Sequence, residues 1–65
     1  MKYKIDRELV RRKIVKEKLT QAEAAARIGI SSSTLSEIMK TGQCAGMSLG
    51  KLAKFVDVPA WLLVI

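Results

Sequence analysis

The sequence lacks histidine and contains one cysteine and one proline among its 65 residues. A single cysteine cannot form an internal disulfide, and without histidine none of the common zinc-binding spacings can be written. No apolar run approaches the roughly 20 residues that a membrane-spanning helix requires. We therefore expect a cytoplasmic protein that uses no disulfide, metal ion, cofactor or membrane.

Signatures of catalysis are also missing. There is no histidine for proton transfer, no glycine-rich motif that would cradle phosphate, and no close pair of carboxylates suited to acid and base roles. These absences predict that the protein is not an enzyme.

Positive charge is what the chain has in excess. Twelve lysine and arginine residues against six acidic residues give a formal net charge of +6 at pH 7. This favours a polyanionic partner, although nucleic acid, an acidic membrane and an acidic protein all attract the same cations.

Apolar residues make up 49% of the sequence, and a chain of this length folds around one core. We predict a single domain over residues 1–65.

Good helix formers dominate the sequence, and we expect strands to be nearly absent. We therefore predict an all-α fold, a compact domain of five helices without strands. The first helix is predicted at residues 7–18, with Asp6 as its N-cap. Its opposite faces are an apolar stripe of Leu9, Val10, Ile14 and Val15, and a basic, mainly solvated row of Arg7, Arg11, Arg12, Lys16 and Lys18.

The second predicted helix starts at Thr20 and runs to about Ile28. Thr20 and Glu23 have the spacing of a capping box, and Gly29 stops the helix because glycine adopts a left-handed conformation without steric cost. Only about three residues around Gly29 separate this helix from the next. A connection that short suits two helices that cross at a steep angle, which is the geometry of a helix-turn-helix.

The third predicted helix spans residues 32–41, with Ser31 as its N-cap and Gly42 at its left-handed C-terminal position. Its outward face is composed of small or flexible polar residues, which would let the helix lie deep in a DNA groove and form hydrogen bonds to base edges or phosphates. The residues of this face are Ser32, Ser33, Thr34, Ser36, Glu37 and Lys40.

Two further helices are predicted after a polar loop from Gly42 to Met47, in which Cys44 is interpreted as an inert thiol. Ser48 is predicted to cap the fourth helix, and Pro59 suits the first turn of a short fifth helix. The predicted core residues of these two helices are Leu49, Leu52, Phe55 and Val56, followed by Trp61 and Leu62.

The apolar C-terminal segment, Trp61 to Ile65, is longer than one short helix can bury. At least one of its sides is expected to lack a core partner. Two copies related by a two-fold axis would each place a third helix, the recognition helix, on a palindromic DNA site and so double the contacts. We therefore expect a weak homodimer that pairs through this segment and forms only on DNA.

The sequence resembles the Cro and phage-repressor type (lambda repressor-like) helix-turn-helix proteins over almost its whole length. The matching residues are Leu19-Thr20-Gln21, Ala24-Ala25, Ile28-Gly29-Ile30-Ser31, Leu35-Ser36, Ile38 and Gly42, then Leu49 to Phe55 and Val58-Pro59-Ala60-Trp61-Leu62. The resemblance implies that Gln21 contacts phosphate and braces Ser32, and that Ser32, Ser33, Ser36 and Lys40 face DNA. With the neighbouring cap residues, the candidate DNA-binding set is Gln21, Ser31, Ser32, Ser33, Thr34, Ser36 and Lys40. Many members of the family have a glutamate at the position of Met39, paired with an arginine of the first helix, so that ion pair is expected to be missing here.

These features together predict a sequence-specific regulator of transcription, similar to a minimal Cro-like phage repressor, whose third helix reads the major groove of a double-stranded DNA operator. The alternative is a protein-interaction module such as an antitoxin or an antirepressor-type helical domain. Repressors, activators and directionality factors share one docking mode, so the sequence leaves that choice and the operator open.

Overall fold

The computed structural model describes all 65 residues and is mostly helical, as the all-α prediction expected. None of its helices combines the length and hydrophobicity needed to cross a bilayer. The elements in chain order are β1 (Lys2–Lys4), α1 (Arg7–Lys16), α2 (Gln21–Ile28), α3 (Ser32–Thr41), β2 (Gln43–Ala45), α4 (Gly46–Val56) and α5 (Ala60–Leu63).

Two short strands were not predicted. β1 and β2 pair in an antiparallel arrangement that places Tyr3 opposite Cys44. The chain after β1 continues the pairing toward the C-terminal segment, since Ile5 forms a bridge with Val64. The predictions of no strands and of a polar loop at 42–47 are therefore wrong. The strands are only three residues each, and β2 (Gln43–Ala45) has no extended alternation of apolar and polar residues around it.

Cys44 belongs to the core rather than to an exposed loop, because its side chain is only 1% exposed. Burial raises the pKa of the Cys44 thiol, and the positive charge of Lys2 opposes this effect more weakly. The thiol therefore stays protonated at neutral pH, which agrees with the expectation of an inert cysteine.

The first helix begins as predicted and ends early. The Asp6 carboxylate accepts a hydrogen bond from the backbone N–H of Glu8 at 3.1 Å. α1 ends at Lys16, and Lys18 then takes a left-handed φ of +54°. The predicted apolar stripe of this helix is confirmed at Val10, which is fully buried, but is wrong at Val15, which is 69% exposed. Val15 lies in the last turn, where the helix has moved past the core.

The core consists of eleven buried apolar residues contributed by every helix and by the strand region. α3 packs mainly on α2 and β2, whereas α4 packs mainly on α1, α2 and α5. α2 therefore lies between α3 and α4, and it separates the surfaces that those two helices present. The buried residues are Ile5, Val10, Ala24, Ala25, Ile28, Leu35, Ile38, Cys44, Leu52, Ala53 and Leu63.

The C-terminal third differs from the prediction in two places. α4 begins at Gly46 after Ala45, with no side-chain cap, so Ser48 lies inside the helix and is not its N-cap. Trp61 is 75% exposed and Leu62 is 49% exposed, so the assignment of both residues to the core is wrong. Because α5 is four residues long, only one of its side chains can point straight into the core, and that residue is Leu63, which is fully buried.

Candidate nucleic-acid interface

The start of α2 is fixed by a complete capping box. The Thr20 hydroxyl accepts from the backbone N–H of Glu23 at 3.1 Å, and the Glu23 carboxylate accepts from the backbone N–H of Thr20 at 2.8 Å. The Thr20 backbone N–H, and to a smaller extent the Thr20 side chain beside the carboxylate, lower the pKa of Glu23. The charged form of Glu23 therefore holds the first turn of α2 in place at neutral pH.

The turn between α2 and α3 has the predicted left-handed glycine. Gly29 has a φ of +93°, and its N–H and that of Ile30 both donate to the carbonyl of Ala25, at 2.9 and 3.0 Å. The Lys51 ammonium donates to the Gly29 carbonyl at 3.1 Å and ties the turn to α4. The turn between the two helices is thus set by backbone hydrogen bonds and supported by a contact from α4.

The N-terminus of α3 is capped by Ser31, as predicted. The Ser31 hydroxyl accepts from the backbone N–H of Thr34 at 3.1 Å and donates to the Thr34 hydroxyl at 2.8 Å. The structure therefore brings Ser31 and Thr34 together in the cap. The Thr34 hydroxyl proton remains free to donate outward.

The C-terminus of α3 is held by a residue that the sequence placed in a solvated row. One Arg7 nitrogen donates to the carbonyls of Met39, at 2.9 Å, and Lys40, at 3.3 Å. These carbonyls lie at the negative end of the helix dipole, where a cation stabilises the helix. Gly42 ends α3 with a φ of +74°, and a Cβ there would lie 3.1 Å from the Arg7 Nε. Arg7 thus links the first helix to the third although Met39 provides no carboxylate.

All seven candidate residues lie on the surface, six of them within α3 or its cap and Gln21 at the start of α2. The side-chain bonds of these two helix starts are those of the two caps, and none joins Gln21 to Ser32. The bracing bond implied by the resemblance is therefore not formed, and the Gln21 amide is available to other groups.

Beside α3 the unpredicted strands add a groove, most of whose lining residues are polar. It brings Lys2 and Gln43 next to Ser33 and Glu37 of the outward face, with Ser48 of α4 at its edge. Lys2 and Gln43 were missed because their position depends on strand pairing. For Lys2, the available signal was the alternation of apolar and polar residues over the six positions from Met1 to Asp6, a pattern long enough to indicate a strand.

No group of three or more acidic or cysteine side chains is close enough to hold a metal ion. The available chemistry of this surface is hydrogen bonding and positive charge.

Residues 10–41 match the family model described as helix-turn-helix. These residues form a helix-turn-helix. The match covers α2, the turn, α3 and most of α1, just under half of the chain. It supports a DNA-binding regulator of transcription in general, with double-stranded DNA as its partner. Searches of curated proteins and of solved structures gave no significant match.

Proposed function

We propose that the helix-turn-helix binds a specific DNA operator by inserting the outward face of α3 into the major groove, and that it represses transcription by occupying that site. A Cro-like role in a phage is part of this proposal. Occupancy of an operator excludes other proteins from the same groove and needs no surface for a further protein.

The observation that carries the proposal is the availability of the polar side chains on this face. The hydroxyl bonds within α3 and its cap are confined to Ser31, Thr34 and Thr41. The remaining polar residues of the face are exposed, and their side chains form no hydrogen bond within the chain: Ser32, Ser33, Ser36, Glu37 and Lys40. Groups left free in this way along one side of a helix can bond to base edges.

The chemistry of each group indicates a role. A serine hydroxyl can donate to or accept from any base, whereas the Glu37 carboxylate can accept from the amino group of cytosine. Lys40, at the other end of α3, suits a phosphate or a guanine edge. Gln21, whose side chain is exposed at the start of α2, suits a phosphate.

Selection from randomised duplexes at a fixed salt concentration tests the proposal. We expect one short motif to be enriched, and its affinity to fall steeply as salt rises, because phosphate contacts release counterions. If the domain is instead a protein-interaction module, no motif should be enriched, and its affinity for a protein partner should change little with salt. Failure to enrich any motif would reject sequence-specific binding.

We propose further that two copies pair through the exposed apolar patch, defined as Trp61, Leu62 and Ile65. These side chains are 75%, 49% and 76% exposed, while Leu63 between them is buried. The body measures 28 × 22 × 17 Å. Two such bodies in contact can present their recognition helices about 34 Å apart, one turn of DNA.

The pairing is tested with Trp61→Asp and Ile65→Asp. Each variant is expected to lower the dimer fraction in sedimentation and to weaken binding to a palindrome about tenfold more than binding to a half-site, because only the palindrome uses both copies. Val15→Asp is the control, since Val15 is also apolar and 69% exposed but lies on α1. A wild-type protein that stays monomeric and binds a half-site as tightly as the palindrome would exclude the dimer.

A further inference from the structure

A second basic surface lies outside the face proposed for DNA. One cation from α1, one from α2 and two from α4 surround a depression whose floor contains Ile28 and Phe55. We name it the cationic groove. Its charged residues are Lys13, Arg27, Lys51 and Lys54.

The cationic groove is separate from the outward face of α3. None of its lining residues belongs to α3, and α2, which contributes Arg27 and Ile28, lies between α3 and α4. Packed helices are about 8–10 Å apart, so one helix width separates the groove from α3. This is comparable to the distance of about 8 Å over which physiological salt screens exposed charges.

Only part of the charge in the groove is neutralised within the chain. Glu17 lies 3.9 Å from the Lys13 ammonium and 3.5 Å from the Arg27 guanidinium. Lys51 donates to a backbone carbonyl, which satisfies one of its protons without removing its charge, and the Lys54 ammonium has no partner. Four cations therefore face one carboxylate, an excess of three positive charges.

The floor of the groove narrows the choice of partner. Phe55 is half-buried and packs against the core with one side, leaving apolar surface between the lysines. A DNA backbone would neutralise the lysines but offers no apolar group to cover a phenyl ring. An uncharged apolar segment would cover the ring and desolvate the lysines without pairing them, which is unfavourable. An acidic segment that carries an apolar side chain satisfies both features.

We propose that the cationic groove binds an acidic peptide segment of a partner protein, with an apolar side chain on Phe55 and flanking carboxylates paired with Lys51 and Lys54. The site is independent of α3, so the segment and DNA bind at the same time. The groove then gives the regulator a contact with a second protein while it occupies its operator.

The probe is a fluorescein-labelled decapeptide of glutamates with one central leucine, titrated in low salt and followed by fluorescence anisotropy. The double variant Lys51→Gln/Lys54→Gln is expected to weaken binding about fivefold through the loss of two exposed ion pairs. Replacing the leucine of the peptide with serine is expected to weaken it by a similar factor. In ¹⁵N spectra, the shifts should be confined to positions 13, 27, 28, 51, 54 and 55 and their neighbours.

The control is Lys2→Gln/Lys4→Gln, which removes the same charge from β1, outside the groove. It should change the affinity for the peptide less than twofold. Equal losses in the two double variants, or an unchanged affinity for the serine peptide, would show attraction to net charge alone and would overturn the proposal. Thermal melts establish that both variants are folded.

A saturating amount of the selected duplex distinguishes the peptide site from a DNA surface. At physiological salt, with the duplex-free titration repeated at the same salt, the peptide should still bind with an affinity reduced less than about threefold, because the two sites are then about one screening length apart. Stoichiometric displacement of the peptide by the duplex would assign the groove to DNA and overturn the proposal. The titration with peptide alone uses no DNA, so its outcome is separate from that of the proposed operator binding.

Discussion

Leu63→Asp is expected to unfold the protein at 25 °C, whereas Trp61→Ala is expected to leave it folded. Leu63 is fully buried, and its carbonyl accepts from the backbone N–H of Asp6 at 2.8 Å, which joins α5 to the start of α1. An unpaired carboxylate at that position costs several kcal/mol, comparable to the roughly 5 kcal/mol by which a small domain is stable. Trp61 is 75% exposed, so its truncation removes little buried surface.

Circular dichroism during thermal unfolding measures both effects. Leu63→Met, which conserves apolar character and approximate volume, serves as the control and should melt cooperatively within a few degrees of the wild type. A cooperative melt for Leu63→Asp, or loss of helicity in Trp61→Ala, would mean that α5 packs with a different face inward.

The second large effect concerns binding. Ser33→Leu and Ser36→Leu are each expected to weaken binding to the selected operator at least about tenfold, and together about 100-fold, since a well-made base contact contributes about 1–3 kcal/mol and leucine cannot replace a hydroxyl. Both residues are exposed on α3 with hydroxyls free of hydrogen bonds within the chain. The folded state should be unaffected, because leucine is a good helix former.

Gly50→Leu provides the matched control. Gly50 is an exposed position of α4 where an added Cβ would have no neighbour within 4 Å. It introduces the same side chain on another helix, so operator affinity should stay within about twofold of the wild type. Unchanged affinity in the two serine variants would remove α3 from the base-contacting surface.

The features that were correctly predicted from sequence are those set by a few neighbouring residues. The caps at Asp6, Thr20 and Ser31 and the left-handed glycines at Gly29 and Gly42 were all predicted, and each is observed. Such signals depend on side-chain and backbone groups that are three or four positions apart, so the local sequence is enough to determine the geometry of a helix end. The bounds of α2 and α3 follow from them.

The errors arose where distant parts of the chain meet. The pairing of β1 with β2 brings together segments about 40 residues apart, and Arg7 reaches carbonyls 32 and 33 positions away. The alternation from Met1 to Asp6 indicates a strand, but no local pattern identifies the segment that pairs with it or the carbonyls that Arg7 reaches. Trp61 was assigned to the core on its hydrophobicity, but a four-residue helix has one inward position, and Leu63 occupies it. Ser48 fits the residue preference of a cap, yet α4 starts at Gly46.

Methylation of the selected duplex by dimethyl sulfate tests the central claim most directly, because the reagent modifies guanine N7 in the major groove and adenine N3 in the minor groove. With α3 in the major groove, bound protein should protect guanine N7 within the motif and leave adenine N3 reactive, and Ser33→Leu/Ser36→Leu should abolish the protection. Protection of adenine N3 alone, or an N7 footprint that persists in the double variant, would contradict docking of α3 in the major groove.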